Sequence, residues 1–368
     1  MPVPRLSAQR NPNTTPTILR SPLGIRDGTY LLCEFDIVLD VRILGRPPND
    51  NALLVLADSG QSCTRMMFDC GADTLADVPL GEIQEIDHLF LSHLHMDHIS
   101  GFDAFFRVNF QRCNRENHIW GPKGTASILQ HRFQGFWWSH ASELNSQWLV
   151  HDVDEATVQS WRFEANEAFA VMHDAGRRAY QRVILETREA KVSAIPLKHH
   201  GLCMGYAVRE VDRYSIDTAA LDRLGLKPGP WIAELKAGIS GPINLGETTH
   251  DADALRAQVM QCQRGDSFAY LTDFLADEEQ RPRIAPHLTG IKTLYAEAQY
   301  AADDGALAEK YHHSTIDQIA ALAALAGVER YTMLHLSRRY SPVQWRDMLK
   351  CAQSVFANTG FPVDWGIA

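Results

Sequence analysis

The chain has 368 residues, of which 45 % are apolar and 22 % are charged, and it carries a formal net charge of −10. The apolar share is that of a globular protein with a sizeable core, which excludes disordered, collagen-like and coiled-coil chains. The negative charge argues against broad electrostatic adhesion to nucleic acid, because such binding neutralises phosphates with Lys and Arg. No apolar run reaches the length of a membrane span and no secretion signal is visible, so we expect a soluble, cytoplasmic protein without membrane contact.

The predicted elements, taken in chain order, alternate between strands and helices. Residues 1–34 are rich in Pro, Asn and Thr and are predicted to form an N-terminal arm. Strand-like runs follow between residues 35 and 68, and short apolar strands alternate with helical stretches from Asp87 onward, which is typical of an α/β fold. Residues 126–191 hold four of the eight tryptophans at a helical spacing. We therefore predict a Trp-rich helical insertion there, which forms a small aromatic subdomain, a lid over a nearby site, or both.

Metal-binding residue types are concentrated directly after the predicted buried strand at residues 89–91. Four of the six residues from 93 to 98 are histidine or aspartate, namely His93, His95, Asp97 and His98. Neutral imidazoles and carboxylates are good ligands for divalent ions such as zinc. In a tight turn, alternate residues can direct His93 and His95 to one ion, and Asp97 and His98 then face a second position beside it. The pattern predicts a metal site.

Three further strand ends carry the same residue types. A short apolar run at residues 193–197 is followed by His199 and His200, the run at residues 268–272 leads to Asp273, and the run at residues 331–334 leads to His335. Each alone is typical of a turn residue or a cap. With the first cluster they form a set of His and Asp side chains at one rim of a sheet, where the catalytic sites of α/β folds collect.

His313 precedes a predicted helix. Ser314 and Thr315 resemble a capped helix start, and an apolar stripe from residue 316 to residue 325 ends at Gly327. The dipole and the free amides of a helix N-terminus favour an anion. His313 could therefore donate a proton to a departing oxygen there, and the alternative is a structural or capping histidine.

The whole series of motifs resembles the metallo-β-lactamase superfamily, and within it the ribonuclease Z branch of tRNA 3′-processing endonucleases. The matching segments are residues 68–71, 92–98, 120–124, 199–206, 226–230, 297–300, 313–315 and 335–340. The resemblance implies an α/β fold of the metallo-β-lactamase type, an αββα sandwich of two facing mixed β-sheets flanked by helices. It also implies an arm at residues 207–245, with Gly229 and Pro230 in its substrate-contacting motif, and a homodimer.

The resemblance further implies a metal-dependent hydrolase with two divalent ions, most naturally zinc, with manganese or iron as alternatives. The implied ligands are His93, His95 and His199 for one ion and Asp97, His98 and His335 for the other, with Asp273 bridging the two. His200 is the competing choice for the position given to His199. A metal-bridged hydroxide is the implied nucleophile, because two dications lower the pKa of water, and Asp97 orients this nucleophile or accepts its proton.

The remaining implied roles surround the leaving group. The family assigns the position of His313 to the proton donor for the departing ribose oxygen. Glu297 is expected to orient a ligand histidine rather than to bind metal itself. Ser314 is expected either to position a neighbouring site residue or to contact the phosphate. Arg339 either contacts the phosphate or braces its own loop.

Precursor tRNA is the leading substrate by resemblance, but the charge of the arm does not support it. Residues 207–240 contain five basic and five acidic side chains, whereas an arm that grips phosphates should be basic. One alternative keeps the two-metal site and takes a small phosphodiester, such as a cyclic nucleotide or a phospholipid head group. Another alternative is a non-catalytic member that binds metal or a metabolite.

Overall fold

Two β-sheets packed face to face organise the chain in the computed structural model, which describes residues 38–246 and 248–367. The N-terminal arm predicted for residues 1–34 lies outside the described residues. The first sheet contains eight strands that are neighbours in chain order. They are β1 (Val38–Leu44), β2 (Ala52–Asp58), β3 (Cys63–Phe68), β4 (His88–Phe90), β5 (Asn117–Pro122), β6 (Gln147–Val153), β7 (Thr157–Glu164) and β8 (His173–Ala179).

A small lobe interrupts the second sheet along the chain. The strands after β8 are β9 (Val183–Glu186), β10 (Ala190–Lys198), β11 (Leu202–Glu210), β12 (Arg213–Ile216), β13 (Pro242–Leu245), β14 (Thr248–Asp251), β15 (Met260–Gln263), β16 (Ser267–Leu271), β17 (Thr293–Ala298), β18 (Arg330–Leu336) and β19 (Thr359–Gly360). The second sheet has the order β19-β18-β17-β16-β11-β10-β9, while β12 pairs with β15 and β13 with β14 in the lobe. Strands β3 to β6 are parallel to one another, and so are β16 to β19. Candidate side chains are therefore expected outside the carboxyl ends of these strands.

Helices cover the outer face of each sheet. The α-helices of the described residues are α1 (Leu80–Ile83), α2 (Met96–Ile99), α3 (Phe102–Asn109), α4 (Thr125–Phe133), α5 (Thr218–Leu224), α6 (Trp231–Lys236), α7 (Ala252–Val259), α8 (Gln280–Leu288), α9 (Gly305–Lys310), α10 (Ile316–Ala326) and α11 (Pro342–Val355). Phe106 of α3 and Phe133 of α4 pack on Trp148 of the first sheet. Helices α8, α10 and α11 share a core with the second sheet, and the predicted αββα sandwich is confirmed. None of the described helices is long and apolar enough to cross a membrane.

Aromatic side chains fill the space between the two sheets. Phe68 of β3 and Phe90 of β4 stack with their ring centroids 4.9 Å apart. From the facing sheet, Phe268 meets Phe68 edge-on at 5.6 Å and Tyr206 lies 5.2 Å from Phe90. Because buried aromatic rings dominate the energetics of such cores, this layer holds the loops that follow β4 and β16 in a fixed relation.

The prediction of a helical insertion at residues 126–191 is wrong. Apart from α4 and two short 3-10 turns, the ordered elements of this segment are the strands β6, β7, β8 and β9. Trp148 and Val150 are two residues apart on β6, and both face the layer of α3 and α4. This two-residue period is that of a strand, whereas the prediction interpreted the segment as helical. Strand β8 has the sequence HDAGRRA with no apolar face, so the pattern that indicates a strand is missing there. The segment completes the first sheet instead of adding a separate subdomain.

Helix α10 begins and ends where the sequence pattern predicts. Thr315 is its N-cap and forms a capping box with Gln318, and Gly327 ends the helix in the left-handed conformation. Ile316, Ile319 and Leu322 of the apolar stripe pack in the core of the second sheet, whereas Leu325 is exposed. His313 is thereby held two residues before the N-cap.

The lobe at residues 213–263 has a small core of its own, in which Leu235 and Leu255 are buried beside Trp231. The arm predicted at residues 207–245 has different bounds in the structure. Residues up to Glu210 belong to β11 and therefore to the second sheet, whereas α7 and β15 extend the lobe beyond residue 245. The lobe is thus a compact unit of helices and hairpins rather than an extended arm.

Three histidines on the neighbouring strands β4, β5 and β6 form an imidazole cluster. His118 Nδ1 and His151 Nε2 lie 3.0 Å apart, and the ring of Trp120 stacks on that of His151 at 3.8 Å. Burial, together with the neighbouring rings of His118 and His88, lowers the pKa of His151 to about 3. His151 is therefore neutral in the folded protein at any pH near neutrality.

We expect His151 to make the protein less stable in acid. The unfolded chain takes up a proton at the ordinary pKa of 6.5 and the folded chain only near pH 3, so protonation favours unfolding between these values and has no effect above them. His151 alone should cost about 1.4 kcal/mol of unfolding free energy per pH unit in that window. Urea denaturation at pH 7.5 and pH 5.5 tests this expectation: the stability gap between the wild type and His151→Gln should shrink at the lower pH. An unchanged gap would contradict the assignment.

Candidate metal centre and active site

The loop after β4 carries the densest group of candidate side chains. His93 and His98 are 4 % and 2 % exposed, whereas His95 is exposed and Asp97 is half-buried. Helix α2 begins at Met96 and places Asp97 and His98 in its first turn. The buried pair of rings anchors the turn, and the other two side chains remain accessible from solvent.

A first group of four candidate ligands joins this loop to the second sheet. One ligand atom of each of His93, His95, His199 and Asp273 lies within 4.8 Å of the others. His199 Nδ1 donates a hydrogen bond of 2.8 Å to the carbonyl oxygen of His312, which leaves Nε2 unprotonated when the ring is neutral and free to face the group. His200 is exposed and is not a member of the group. Of the two competing histidines, the geometry therefore favours His199.

A second group shares Asp273 with the first. Its other members are Asp97, His98 and His335, again with one ligand atom each within 4.8 Å. Asp273 Oδ2 lies 3.3 Å from His98 Nε2, and its Oδ1 lies 3.2 Å from His335 Nδ1. His335 is the second-last residue of β18 and lies in the strand rather than in the loop after it. The backbones of His335 and Asp273 are both left-handed, with φ values of 51° and 53° respectively. These two backbone turns direct both side chains into the common rim.

The donor atoms of both groups fit divalent cations. His93 Nε2, His98 Nε2 and His335 Nδ1 are buried 3.5, 3.3 and 3.2 Å from the Asp273 carboxylate, but none of them makes a well-aligned hydrogen bond with it or with another described residue. Leaving buried polar atoms unpaired is costly, so three such imidazole nitrogens in one place indicate that another group satisfies them. Imidazole and carboxylate donors without a thiolate are suited to zinc and to neighbouring first-row metals.

The electrostatics of the rim give His93, His199 and Asp273 the protonation states that metal binding requires. Burial lowers the pKa of His93 to about 2 and that of His199 to about 4. Burial raises the pKa of Asp273, but the facing rings of His335 and His98 outweigh it and hold that pKa well below the usual range. Burial lowers the pKa values of His98 and His335, but Asp273 together with Asp69 for His98, and together with Asp97 for His335, outweighs burial and raises both pKa values. Metal binding would therefore displace protons from these two rings.

Asp69 is a functional residue that the sequence analysis did not assign. Its carboxylate is fully buried after β3 and accepts hydrogen bonds from the backbone N–H and hydroxyl of Ser92 at 2.7 and 2.8 Å. The hydroxyl of Tyr270 and Nδ1 of His98 also lie 2.8 Å from it. Asp69 therefore holds the His98 ring with Nε2 towards Asp273. The only sequence signal was an aspartate at the end of a strand, within the segment at residues 68–71.

We predict that Asp69→Asn weakens metal binding by about 10- to 100-fold, the range found when a partner of a ligand histidine is lost. The amide places a donor where three donors already converge, so His98 loses its orientation. Metal affinity measured by competition with a chelator tests the prediction. Tyr270→Phe is the matched control, because it removes one hydrogen bond to Asp69 and leaves the carboxylate, and it should have the smaller effect. An affinity in Asp69→Asn equal to that of the wild type would contradict the role.

His313 and Glu297 form a buried pair beside the metal-binding groups. His313 Nδ1 lies 2.9 Å from Glu297 Oε2, and Glu297 Oε1 accepts the backbone N–H of Phe274 at 2.6 Å. Burial lowers the pKa of His313, but the Glu297 carboxylate outweighs it and raises this pKa to about 9. Glu297 was expected to orient a ligand histidine, and the structure instead places it against His313. The pair supplies an imidazolium at neutral pH next to the rim.

Ser314 and Arg339 occupy different surroundings. The Ser314 hydroxyl donates to the carbonyl oxygen of Phe274 at 2.5 Å and accepts the backbone N–H of Ala276 at 2.9 Å, so it ties the His313 segment to the loop of Asp273. Arg339 is exposed, and its guanidinium has no hydrogen bond or ion pair within the described part of the chain. A bracing role for Arg339 thus has no support, which leaves its charge available to an anion.

Gly229 and Pro230 lie outside the rim clusters. They precede α6 in the lobe and line a cavity of about 720 Å³ together with Trp231 and His250. The structure groups the predicted ligands, His313 and Glu297 at one rim, and it places the predicted substrate-contacting motif in a separate lobe.

Comparison with known proteins relates most of the chain to one group of enzymes. Residues 64–222 match the family model of the beta-lactamase superfamily domain. The chain is 52 % identical over 328 residues to Ribonuclease Z of Deinococcus radiodurans, which covers 89 % of this chain and 99 % of that protein. It is 30 % identical over 302 residues to Ribonuclease BN of Cronobacter sakazakii, which covers 79 % of this chain and 84 % of that protein.

A solved structure agrees at the level of the fold. The metallo-beta-lactamase fold protein YhfI from Bacillus subtilis matches with a TM-score of 0.52 and 14 % identity, covering 88 % of this chain and 96 % of that one. The high identity to the D. radiodurans protein over nearly its full length shows the family. The chain belongs to the ribonuclease Z family of the metallo-β-lactamase superfamily and is a hydrolase of the endoribonuclease type.

Proposed function

We propose that the protein is a two-metal endoribonuclease that removes the 3′ trailer of precursor tRNA. The observation that carries the proposal is the shared position of Asp273 in two groups of candidate ligands, directly beside the His313–Glu297 pair. Zinc is the first choice for both ions because the donors are imidazoles and carboxylates, and manganese and iron remain alternatives. A cytoplasmic homodimer is part of the same proposal.

The residues proposed to hold the two ions are those of the two groups: His93, His95 and His199 for one, Asp97, His98 and His335 for the other, with Asp273 between them. When bound, such ions supply a water of lowered pKa and offset the charge on a phosphodiester. The chain itself supplies orientation. Buried His93 and His98 keep fixed positions in the turn, and the accessible pair His95 and Asp97 faces the entering substrate.

Asp97 is the candidate to orient the attacking water or to accept its proton. Burial raises the pKa of Asp97, but its contacts with His335 and His98 outweigh this effect and hold that pKa below the usual range of a carboxyl group. Asp97 is therefore ionised at neutral pH. Its half-buried carboxylate lies 3.4 Å from His335 Nε2, so the side chain is positioned without being closed off from substrate.

His313 is the candidate proton donor on the opposite side of the reaction. With the pKa raised to about 9, its ring carries protons on both nitrogens at neutral pH. Glu297 holds the Nδ1 proton, which leaves the Nε2 proton for the departing ribose oxygen when the P–O bond breaks. The ring is neutral after the transfer and keeps its hydrogen bond to Glu297.

The lobe is the candidate docking element for tRNA. Its affinity for RNA cannot come from a net positive charge. Between residues 213 and 263 the sequence has five basic and six acidic side chains. Contacts around Gly229, Pro230 and the cavity beside Trp231 would therefore rely on shape and hydrogen bonds, with Arg339 as a phosphate contact near the rim. We expect the affinity for RNA to depend only weakly on salt concentration, since few counterions are released.

The proposal is tested by incubating metal-reconstituted protein with a precursor tRNA and with bis(p-nitrophenyl) phosphate. We expect a single cut at the 3′ trailer, with a 3′-hydroxyl on the tRNA and a 5′-phosphate on the trailer. Hydrolysis of the small diester alone would replace the proposal with the alternative of a small-molecule phosphodiesterase. The non-catalytic alternative is not retained, because the chain belongs to a family of enzymes and keeps a full set of candidate ligands.

A further inference from the structure

A second pair of histidines lies at the mouth of the proposed active site. His200 is exposed and His312 is half-buried, and their ring centroids are 5.0 Å apart in an edge-to-face arrangement. Each is the sequence neighbour of a residue already discussed, His199 for one and His313 for the other. The proposed mechanism uses neither of these two side chains.

The pair extends the row of rings that starts at the metal-binding groups. The His200 ring lies 4.7 Å from that of His199 and 6.0 Å from that of His95. The carbonyl oxygen of His312 accepts the hydrogen bond of His199, and the left-handed backbone of His312, with φ of 52°, turns this carbonyl towards the rim. The backbone of His312 thus orients the candidate ligand His199, while the side chain of His312 lies against His200.

Among the described residues, the ring nitrogens of this pair have no hydrogen-bond partner. His312 Nδ1 is buried without a hydrogen bond, and no hydrogen bond joins the His200 side chain to any residue of the described ranges. A metal ion is not a suitable occupant, because none of the groups of three or more possible ligands within these ranges contains either ring. Because His312 Nδ1 is buried, a ligand that enters past His95 can reach the ring nitrogens of His200 and the other ring nitrogen of His312, Nε2.

We propose that His200 and His312 bind the phosphodiester next to the one that is cleaved, so that this site selects a polynucleotide over a diester with one phosphate. The proposal rests on the proposed function as an RNA hydrolase. Phosphate oxygens accept hydrogen bonds from imidazole N–H groups whether or not the ring is charged. One such contact changes the binding of a ligand by about threefold to tenfold.

The test compares His200→Asn, which keeps a side-chain N–H donor, with His200→Phe, which keeps a ring and loses the donors. For each variant, kcat and KM are measured on precursor tRNA and on bis(p-nitrophenyl) phosphate, and metal per chain is determined. We expect His200→Phe to raise KM for the tRNA by about threefold to tenfold. We also expect a smaller change on the small diester, an unchanged metal content, and a milder effect of His200→Asn.

The following outcomes would overturn the inference. Equal losses on both substrates, or a loss of metal, would indicate a general disturbance of the rim. A milder effect of His200→Phe than of His200→Asn would indicate that the ring stacks on a base instead of binding a phosphate. If the wild type cuts tRNA and neither variant has an effect, the subsite proposal is wrong and the proposed function stands. If the wild type hydrolyses only the small diester, both the proposed function and the subsite proposal are wrong.

Discussion

Asp273→Asn is expected to lower kcat for RNA cleavage by at least about 1,000-fold and to reduce the metal bound per chain. Asp273 is 2 % exposed, and its carboxylate oxygens face His93 of the first candidate group and His98 and His335 of the second. An amide keeps the size of the side chain but loses its charge, so neither ion retains its shared ligand. Metal analysis of the purified variant and single-turnover cleavage of precursor tRNA measure the two effects.

The control for this variant is Asp347→Asn on α11. Asp347 is also an aspartate paired with a cation, but its side chain is 65 % exposed and its contact is with Lys350 on the protein surface. Exposed pairs of this kind contribute little to stability, so the control should retain its metal, its activity and its thermal unfolding midpoint. An Asp273→Asn protein with two ions per chain and kcat within about tenfold of the wild type would contradict the bridging role.

His313→Ala is expected to separate the two test substrates. The ribose oxygen is a poor leaving group and needs the proton of His313, so cleavage of precursor tRNA should fall by about 100- to 10,000-fold. p-Nitrophenolate is stable without a proton, so hydrolysis of bis(p-nitrophenyl) phosphate should fall much less. Measurement of kcat on both substrates at one metal loading tests the role, and equal losses on both would contradict it.

The pH profile gives an independent reading of the same residue. His313 must be protonated to act, so RNA cleavage by the wild type should decline as the pH rises through the His313 pKa of about 9. Glu297→Gln removes the carboxylate that raises this pKa, and the alkaline decline should then move to lower pH. A decline at the same pH in both proteins would show that another group is responsible.

Most residues of the rim could be predicted from the sequence, because each is marked by a pattern of neighbouring residues. The four ligands between His93 and His98 are close in the chain. His199, Asp273 and His335 each lie at or just after the end of an apolar strand, and strand ends of one sheet meet at a common edge. The capping residues and the apolar stripe of α10 predicted that helix in the same way. In each case the signal is contained in fewer than about 15 neighbouring residues.

The errors and omissions concern contacts between distant parts of the chain. Asp69 holds His98, which is 29 residues away, and it is also bonded to Tyr270, which is 201 residues away; no local pattern connects these residues. The partner of Glu297 is His313 and not a predicted ligand, and only the packing of β17 beside the loop before α10 decides between these possibilities. Strand β8 has no buried face, because it lies at the edge of its sheet, and so it leaves no hydrophobic signal.

The most direct test of the account is the activity on precursor tRNA as zinc is added stepwise to chelator-treated protein, with bound metal counted in each sample. If two ions share Asp273, activity should remain low up to one equivalent when the sites fill in sequence, and should reach its plateau at two ions per chain. A plateau at one ion per chain, or trailer cleavage by protein without metal, would contradict the central claim.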